Sequence, residues 1–337
     1  MKDQVVLTLE MPAAEAARLL LRHYLSQIRQ AAEAIGSQDD QTSVQGVHDF
    51  RVAMRRTQAV LGSFCTWLDE SWYKRYDKGC NDWLRSMSKL RDLDVLSARL
   101  AAQPADQARL DSEWLEKLDR RRGELRSQCQ EAISSKAFLK WMAEHTTALN
   151  SDQSARQMHL PMCGKKGTLQ LHTLSDCLPG LVYQAAASLT VYRQALPPLS
   201  KLPPEISENP ELLSGWDDHS NELMHKLRLS AKQSRYMLEN MTYIQGIPQQ
   251  PALLKDFKML QVCLGDWHDA LKACEWGWKI AKKHPDHQPL LAWLSKTQAE
   301  KLAARACFDK NWPRFEMKQI HQKAVQLLDS VYEQLNA

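Results

Sequence analysis

The chain has 337 residues, 44% of them hydrophobic and 25% charged, with 12 glycines and 14 prolines. That composition suits a globular fold of one large or about two ordinary domains, and it excludes disordered, collagen-like and low-complexity classes. The net charge of +4 and the isoelectric point of about 8.5 fall short of the strongly basic balance of a dedicated nucleic-acid domain, so an anionic partner has to be met by clustered charge.

Met1 to Glu10 has no basic run leading into an apolar core, which predicts no secretory signal. No apolar run approaches the ~20 residues of a membrane span. A cytoplasmic protein with no membrane partner is expected. Pro12 heads a predicted helix over Ala13–Ile35 whose apolar face carries Ala17, Leu20, Leu21, Tyr24, Leu25 and Ile28. Gly36 to Ser43 reads as a polar loop, Val47–Leu68 as an amphipathic helix, and Glu70–Ala102 as a long helix stopped near Pro104. Two more helices fit Ala105–Ile133 and Ser135–Leu149. Pro161, Gly164 and Gly167 break the pattern over Ser151–Gly167, which predicts a linker. Helices resume at Leu174–Leu196, Asp217–Ile244, Gln250–Lys283, Pro289–Asn311 and Pro313–Leu335, with a proline-rich stretch at Pro197–Pro210. The expected organisation is a domain over 10–335, made of a first bundle over 10–150, a linker over 151–173 and a second bundle over 174–335.

The cysteines Cys65, Cys80, Cys129, Cys163, Cys177, Cys263, Cys274 and Cys307 include no C-x-x-C pair, so they predict reduced, buried thiols and no zinc site. Trp67, Trp72, Trp83, Trp267, Trp276 and Trp278 recur among helical apolar positions and read as core, not as base-stacking platforms.

The two halves repeat one another. His48-Asp-Phe-Arg-Val-Ala-Met-Arg-Arg aligns with His225-Lys-Leu-Arg-Leu-Ser-Ala-Lys-Gln, pairing His48 with His225, Arg51 with Arg228, Arg55 with Lys232 and Leu61 with Leu238. The same offset sets Arg91-Asp92 over His268-Asp269 without a gap. A repeated H-x-x-R-x-x-x-[RK], followed 44 residues after the His by Asp in both halves, points to tandem duplication of a four-helix unit.

Helical geometry shows what the motif presents. At roughly 100° per residue, Arg51 and Arg55 fall within about 60° of His48, and Phe50, Ala53, Met54, Val60, Leu61 and Phe64 lie opposite. Arg56 stands off that arc by about 80°. In the second copy His225, Arg228, Lys232 and Arg235 share an arc of about 80°, opposed by Leu227, Ala231, Met237, Leu238 and Met241. Neighbouring like charges on a helix cost a few tenths of a kcal/mol per pair. No Asp or Glu between Arg51 and Thr66, or between Lys226 and Leu238, relieves that cost. Such a stripe calls for an anion from outside. Arg offers a fork that matches phosphate, Lys a point charge, and His a donor that varies near neutral pH.

At these residues the chain resembles the CHAD family, the conserved-histidine α-helical domain. The family pattern H-x-x-R-V-x-x-R-R is met by His48–Arg56, and R-D-L-D-V by Arg91–Val95. The pattern H-x-L-R-x-x-x-K-x-x-R-Y-x-x-E is met by His225–Glu239, and L-Q-x-x-L-G-x-x-x-D by Leu260, Gln261, Leu264, Gly265 and Asp269. The resemblance implies an all-α fold of two four-helix bundles related by a pseudo-twofold axis around a basic channel. It also implies inorganic polyphosphate as ligand and association with polyphosphate granules. Carried over position by position, the polyphosphate-binding candidates are His48, Arg51, Arg55, Arg56, His225, Arg228, Lys232 and Arg235. Arg22 and Arg91 are added, with Lys89 and Lys258 as weaker members. The family often has Arg where Gln58 stands and Gly where Ser88 stands, so one stripe contact is expected to be lost and the bend before Arg91-Asp92 to differ. The CYTH triphosphatase domain that many relatives carry, with its E-x-E-x-K motif, is not expected here.

Asp92, Asp94 and Asp269 read as structural carboxylates that orient an Arg or His, against the alternative of metal ligands or general bases. The run Arg120-Arg121-Arg122 reads as a solvated helix face, as do Lys279, Lys282 and Lys283; Lys165-Lys166 reads as a solvated loop. The leading expectation is a non-enzymatic binder that uses no cofactor and no metal and has no catalytic residue. One alternative is a metal-dependent phosphohydrolase built on the order His23, His48-Asp49, Asp94. It is opposed by Arg51 and Arg55, which crowd His48 and repel a metal ion. The other is a nucleic-acid-binding helical protein, for which no helix-turn-helix, RRM or zinc-finger signature is present. Self-association and granule proteins stand as further partners that the sequence leaves open.

Overall fold

A computed structural model describes residues 5–102, 111–150, 162–163, 168–169, 172–192, 195–196 and 210–335. The described residues are overwhelmingly helical, and the fold is all-α. In chain order the helices are α1 (Ala13–Ile35), α2 (Asp40–Ser63), α3 (Glu70–Ala101), α4 (Ser112–Ser134), α5 (Lys136–Asn150), α6 (Leu174–Ala187), α7 (Pro210–Met241), α8 (Ala252–Ala281), α9 (Gln288–Asn311) and α10 (Met317–Leu335). Single 3-10 turns stand at Cys65–Trp67, Thr190–Tyr192 and Trp312–Phe315.

The chain divides into two compact units. One holds Met1–Pro179 with Tyr243–Gln245; the other holds Gly180–Thr242 with Gly246–Ala337. The division falls inside α6, at Pro179, where the missing backbone N–H interrupts the helical ladder.

In the first unit α1 lies along α2, α2 along α3, α3 along α4, and α5 meets both α1 and α4. Every apolar residue expected on the inner face of α1 is buried, as are Phe50, Ala53, Met54, Val60, Leu61 and Phe64 of α2. The two helices come very close at Gly46, where an added Cβ would stand 2.7 Å from the Ile35 backbone nitrogen. α2 begins a full two turns earlier than Val47, because Asp39 caps it. The Asp39 carboxylate accepts from the Thr42 N–H at 2.8 Å and from the Thr42 hydroxyl at 2.6 Å. Asp69 caps α3 the same way, accepting from the Trp72 N–H at 2.8 Å. The segment before α1 is tied down by backbone bonds: Leu7 N–H donates to Tyr243 O at 2.9 Å, Gln245 N–H to Leu7 O at 2.8 Å, and Leu174 N–H to Met11 O at 2.8 Å.

In the second unit α8 is central, packing against α7, α9 and α10. Leu227, Ala231, Met237, Leu238 and Met241 of α7 are buried, as their periodicity predicts. α8 and α9 meet closely at Gly277, whose Cβ would fall 2.6 Å from the Trp293 ring. Polar groups enter this core in pairs. Arg305 donates to Asp309 at 3.1 Å and to the Ser220 hydroxyl at 2.8 Å. Asp256 holds Lys323 and, at 3.6 Å, Arg314.

Several boundaries differ from expectation. α6 ends at Ala187, not Leu196, and α7 begins at Pro210, a residue suited to a helix's first turn. Within the stretch expected as a linker, Met162–Cys163 pairs antiparallel with Thr168–Leu169; Lys165 and Lys166 lie outside the described residues, as do Pro104, the start of the helix expected at Ala105, and Pro197–Pro204. Trp278 is 53% exposed and so is not core, although Trp72 and Trp267 are buried. The cysteines are not all reduced: Cys263 of α8 and Cys307 of α9 form a disulfide, because helix register brings their Cα atoms to 5.9 Å. No described helix is long and apolar enough to cross a membrane.

Candidate functional site

The first unit presents His48, Arg51 and Arg55 half-buried on the outer side of α2. Arg51 is held from α3: its Nη1 donates to the Ser88 hydroxyl at 2.6 Å and to the Leu84 carbonyl at 3.2 Å. The Ser88 hydroxyl in turn donates to the Leu84 carbonyl at 2.7 Å. Arg55 donates to Gln58 Oε1 at 3.1 Å, and the Gln58 amide donates to Asp77 Oδ1 at 2.9 Å. Asn81 fixes the other Asp77 oxygen at 3.0 Å. The two positions that depart from the family pattern, Gln58 and Ser88, are therefore those that hold the stripe arginines.

Arg56 turns elsewhere. Its guanidinium lies 6.0 Å from the centre of the Tyr24 ring on α1, as its offset from the arc anticipates. Burial, with the Arg56 charge added, holds the His23 imidazole below its ordinary range. His23 Nε2 meets the Gln27 amide at 2.8 Å and the Tyr243 hydroxyl at 3.3 Å. Arg22 and Lys89 are exposed, and Arg91 is half-buried.

Asp92 is exposed, whereas Asp94 is buried and receives two bonds from Arg122 of α4, each 3.1 Å. Burial raises the Asp94 carboxyl, and the charges of Arg122, Arg126 and Arg91 pull it back. Arg122 thus leaves the solvated run to which sequence assigned it; Arg120 and Arg121 stay exposed. His23, Asp49 and Asp94 have separate partners, Asp49 accepting from Gln45 at 2.8 Å. Among the described residues no group of three or more His, Cys, Asp and Glu could hold a metal ion.

The second unit draws its candidates together more tightly. His225 is exposed on α7, with Arg228 and Lys232 half-buried on the following turns. The ring of His268 on α8 stands 5.3 Å from that of His225. Burial comes first among the causes that push the His268 imidazole down to about 3, followed by the charges of Arg228, His225, Lys272 and Lys232. Its Nδ1 is buried and makes no hydrogen bond among the described residues; the same holds for Oε1 of Gln261, seven residues before it on α8. Arg235 lies 4.6 Å from the centre of the Tyr236 ring and 3.5 Å from Glu239, so the stripe's last cation is met by a carboxylate just beyond the acid-free stretch. Asp269 and Lys258 are half-buried. Sequence comparison aligned His268 with Arg91 but did not add it to the site; its spacing to Lys272, one turn along α8, was the signal that could have done so.

The CHAD domain family model matches residues 17–276. Among solved structures, the CHAD domain from the plant Ricinus communis is similar with a TM-score of 0.58 and 16% identity, over 96% of this chain and 94% of that one. PptA from Streptomyces chartreusis is similar with a TM-score of 0.62 and 17% identity, over 90% of this chain and 99% of that one. At such identities the likeness concerns the fold alone. No curated protein matches the chain. The family model spans most of the sequence, and the fold follows a CHAD structure over nearly its whole length; the protein belongs to the CHAD domain family.

Proposed function

We propose that the protein binds inorganic polyphosphate without turning it over, on the cationic faces of α2 and α7 that the family resemblance assigns to a basic channel. The observation that carries this reading is the α7–α8 cluster: the groups whose charge acts on His268 are Arg228, His225, Lys272 and Lys232, cationic or able to become so. Like charges gathered on a half-buried surface repel, and a bound polyanion removes that cost. The same reading extends to residence in the cytoplasm at polyphosphate granules.

The test is a titration with long-chain polyphosphate beside tripolyphosphate and single-stranded DNA at physiological salt. Counterion release predicts affinity that grows with chain length and falls with salt, by extension from nucleic acids. The double variant Arg51→Glu/Arg228→Glu should abolish binding. Equal affinity for DNA, or an unaffected double variant, overturns the reading. Phosphate release that required Mg²⁺ or Mn²⁺ would instead establish an enzyme.

A further inference from the structure

We infer that His268 is itself an anion contact, and that it takes up a proton when the anion arrives, so that this face of α8 gains a positive charge only when occupied. The inference rests on the proposed polyphosphate function and names a residue that the repeated motif does not contain.

The geometry places the ring at the centre of the cluster. From α7 it is faced by His225, at 5.3 Å between ring centres, and by the charges of Arg228 and Lys232. From α8 it is faced by Lys272, one turn on, which also bonds Glu275 at 2.8 Å. Asp269 adjoins it in sequence, and the Trp267 ring lies 6.2 Å away. The Nδ1 atom is buried without a hydrogen bond among the described residues. A buried ring nitrogen in that position calls for a partner, and the surrounding cations select an anionic one. A neutral imidazole offers one N–H; an imidazolium offers two.

The sign of the coupling follows. Without ligand, burial and the neighbouring positive charges keep His268 neutral down to about pH 3. A phosphate chain seated on Arg228 and Lys232 reverses the local field and raises that value. Between the free and bound values the complex holds one more proton than the free protein. Affinity there strengthens as pH falls, by up to tenfold per pH unit.

The experiment uses the full chain and long-chain polyphosphate, whose titrating end groups are few. The imidazole signal of His268, assigned by its loss in His268→Asn, is followed by NMR through a pH titration with and without polyphosphate. The midpoint is expected to rise by more than one pH unit on binding. Calorimetry in buffers of different ionisation enthalpy should show proton uptake near pH 4 that His268→Asn loses, with weaker binding. His268→Lys, whose charge is fixed, should also lose the uptake; it serves if the Asn variant does not fold. An unmoved midpoint, or equal uptake in wild type and a folded variant, overturns the role of His268 and leaves the polyphosphate reading standing. Absence of wild-type binding at every pH overturns both.

Discussion

Arg51 reaches from α2 to the Ser88 hydroxyl of α3 at 2.6 Å, and Ser88 passes the bond to the Leu84 carbonyl. This three-member chain fixes one guanidinium nitrogen of the cationic stripe before any ligand arrives. Pre-organisation of this kind lowers the entropy that binding must otherwise overcome. Ser88→Ala removes the middle member. Loss of one such hydrogen bond is worth about 1 kcal/mol, or roughly fivefold in affinity. Polyphosphate titrations of wild type and S88A at several salt concentrations should show weaker binding with an unchanged salt dependence, since no cation has been deleted.

Asp77 reaches the same stripe through Gln58, which bonds both Asp77 and Arg55. That negative charge opposes a polyanion. Asp77→Asn keeps the hydrogen-bonding shape and removes the charge, so polyphosphate affinity should rise, by about two- to threefold for an exposed-side interaction of a few tenths of a kcal/mol. A competition assay against wild type checks the direction. Weaker binding by D77N would show that positioning Arg55 matters more than the repulsion.

The Asp94–Arg122 pair is a stability element. Asp94 is 4% exposed and its partner half-buried. Deleting one member of such a pair strands the other, at a cost of about 3 kcal/mol, whereas replacing both with apolar groups costs much less. Urea unfolding of Arg122→Leu, Asp94→Leu and the double variant should show two large losses and substantial recovery.

His145 lies stacked on Tyr76, with ring centres 3.8 Å apart, and edge-on to Trp72 and Trp141. Burial, with Arg75 adding to it, depresses its imidazole from 6.5 to about 4. The unfolded chain therefore binds this proton more readily. Stability from this residue is present above pH 6.5 and is lost as pH falls toward about 4, amounting to about 3 kcal/mol over that window. The unfolding free energy of wild type minus that of His145→Phe should fall by about 3 kcal/mol between pH 6.5 and about 4, because the variant lacks the slope.

Periodicity carried much of this fold. The inner faces of α1, α2 and α7 were legible because apolar residues at helical spacing have few other uses. The beginnings of α2 and α7 were not, since a cap such as Asp39 looks like loop until its bond to Thr42 is known. Within the candidate site, the stripe residues were readable because they lie on single helices. Their holders were not: Ser88 and Gln58 looked like losses because their value depends on α2–α3 register. Arg122 and His268 were misjudged or passed over for a related reason. Each meets its decisive neighbours on another helix, Asp94 on α3 and His225 on α7.

Tyr243–Gln245 belongs to the first unit although α7 before it and α8 after it belong to the second. Leu7 takes its backbone partners from that short return. A ribosome therefore cannot finish the first unit when Pro179 emerges. Its opening segment must wait, with backbone groups still hydrated, until all of α7 has been synthesised. A fragment that stops at Pro179 therefore lacks the backbone partners of Leu7.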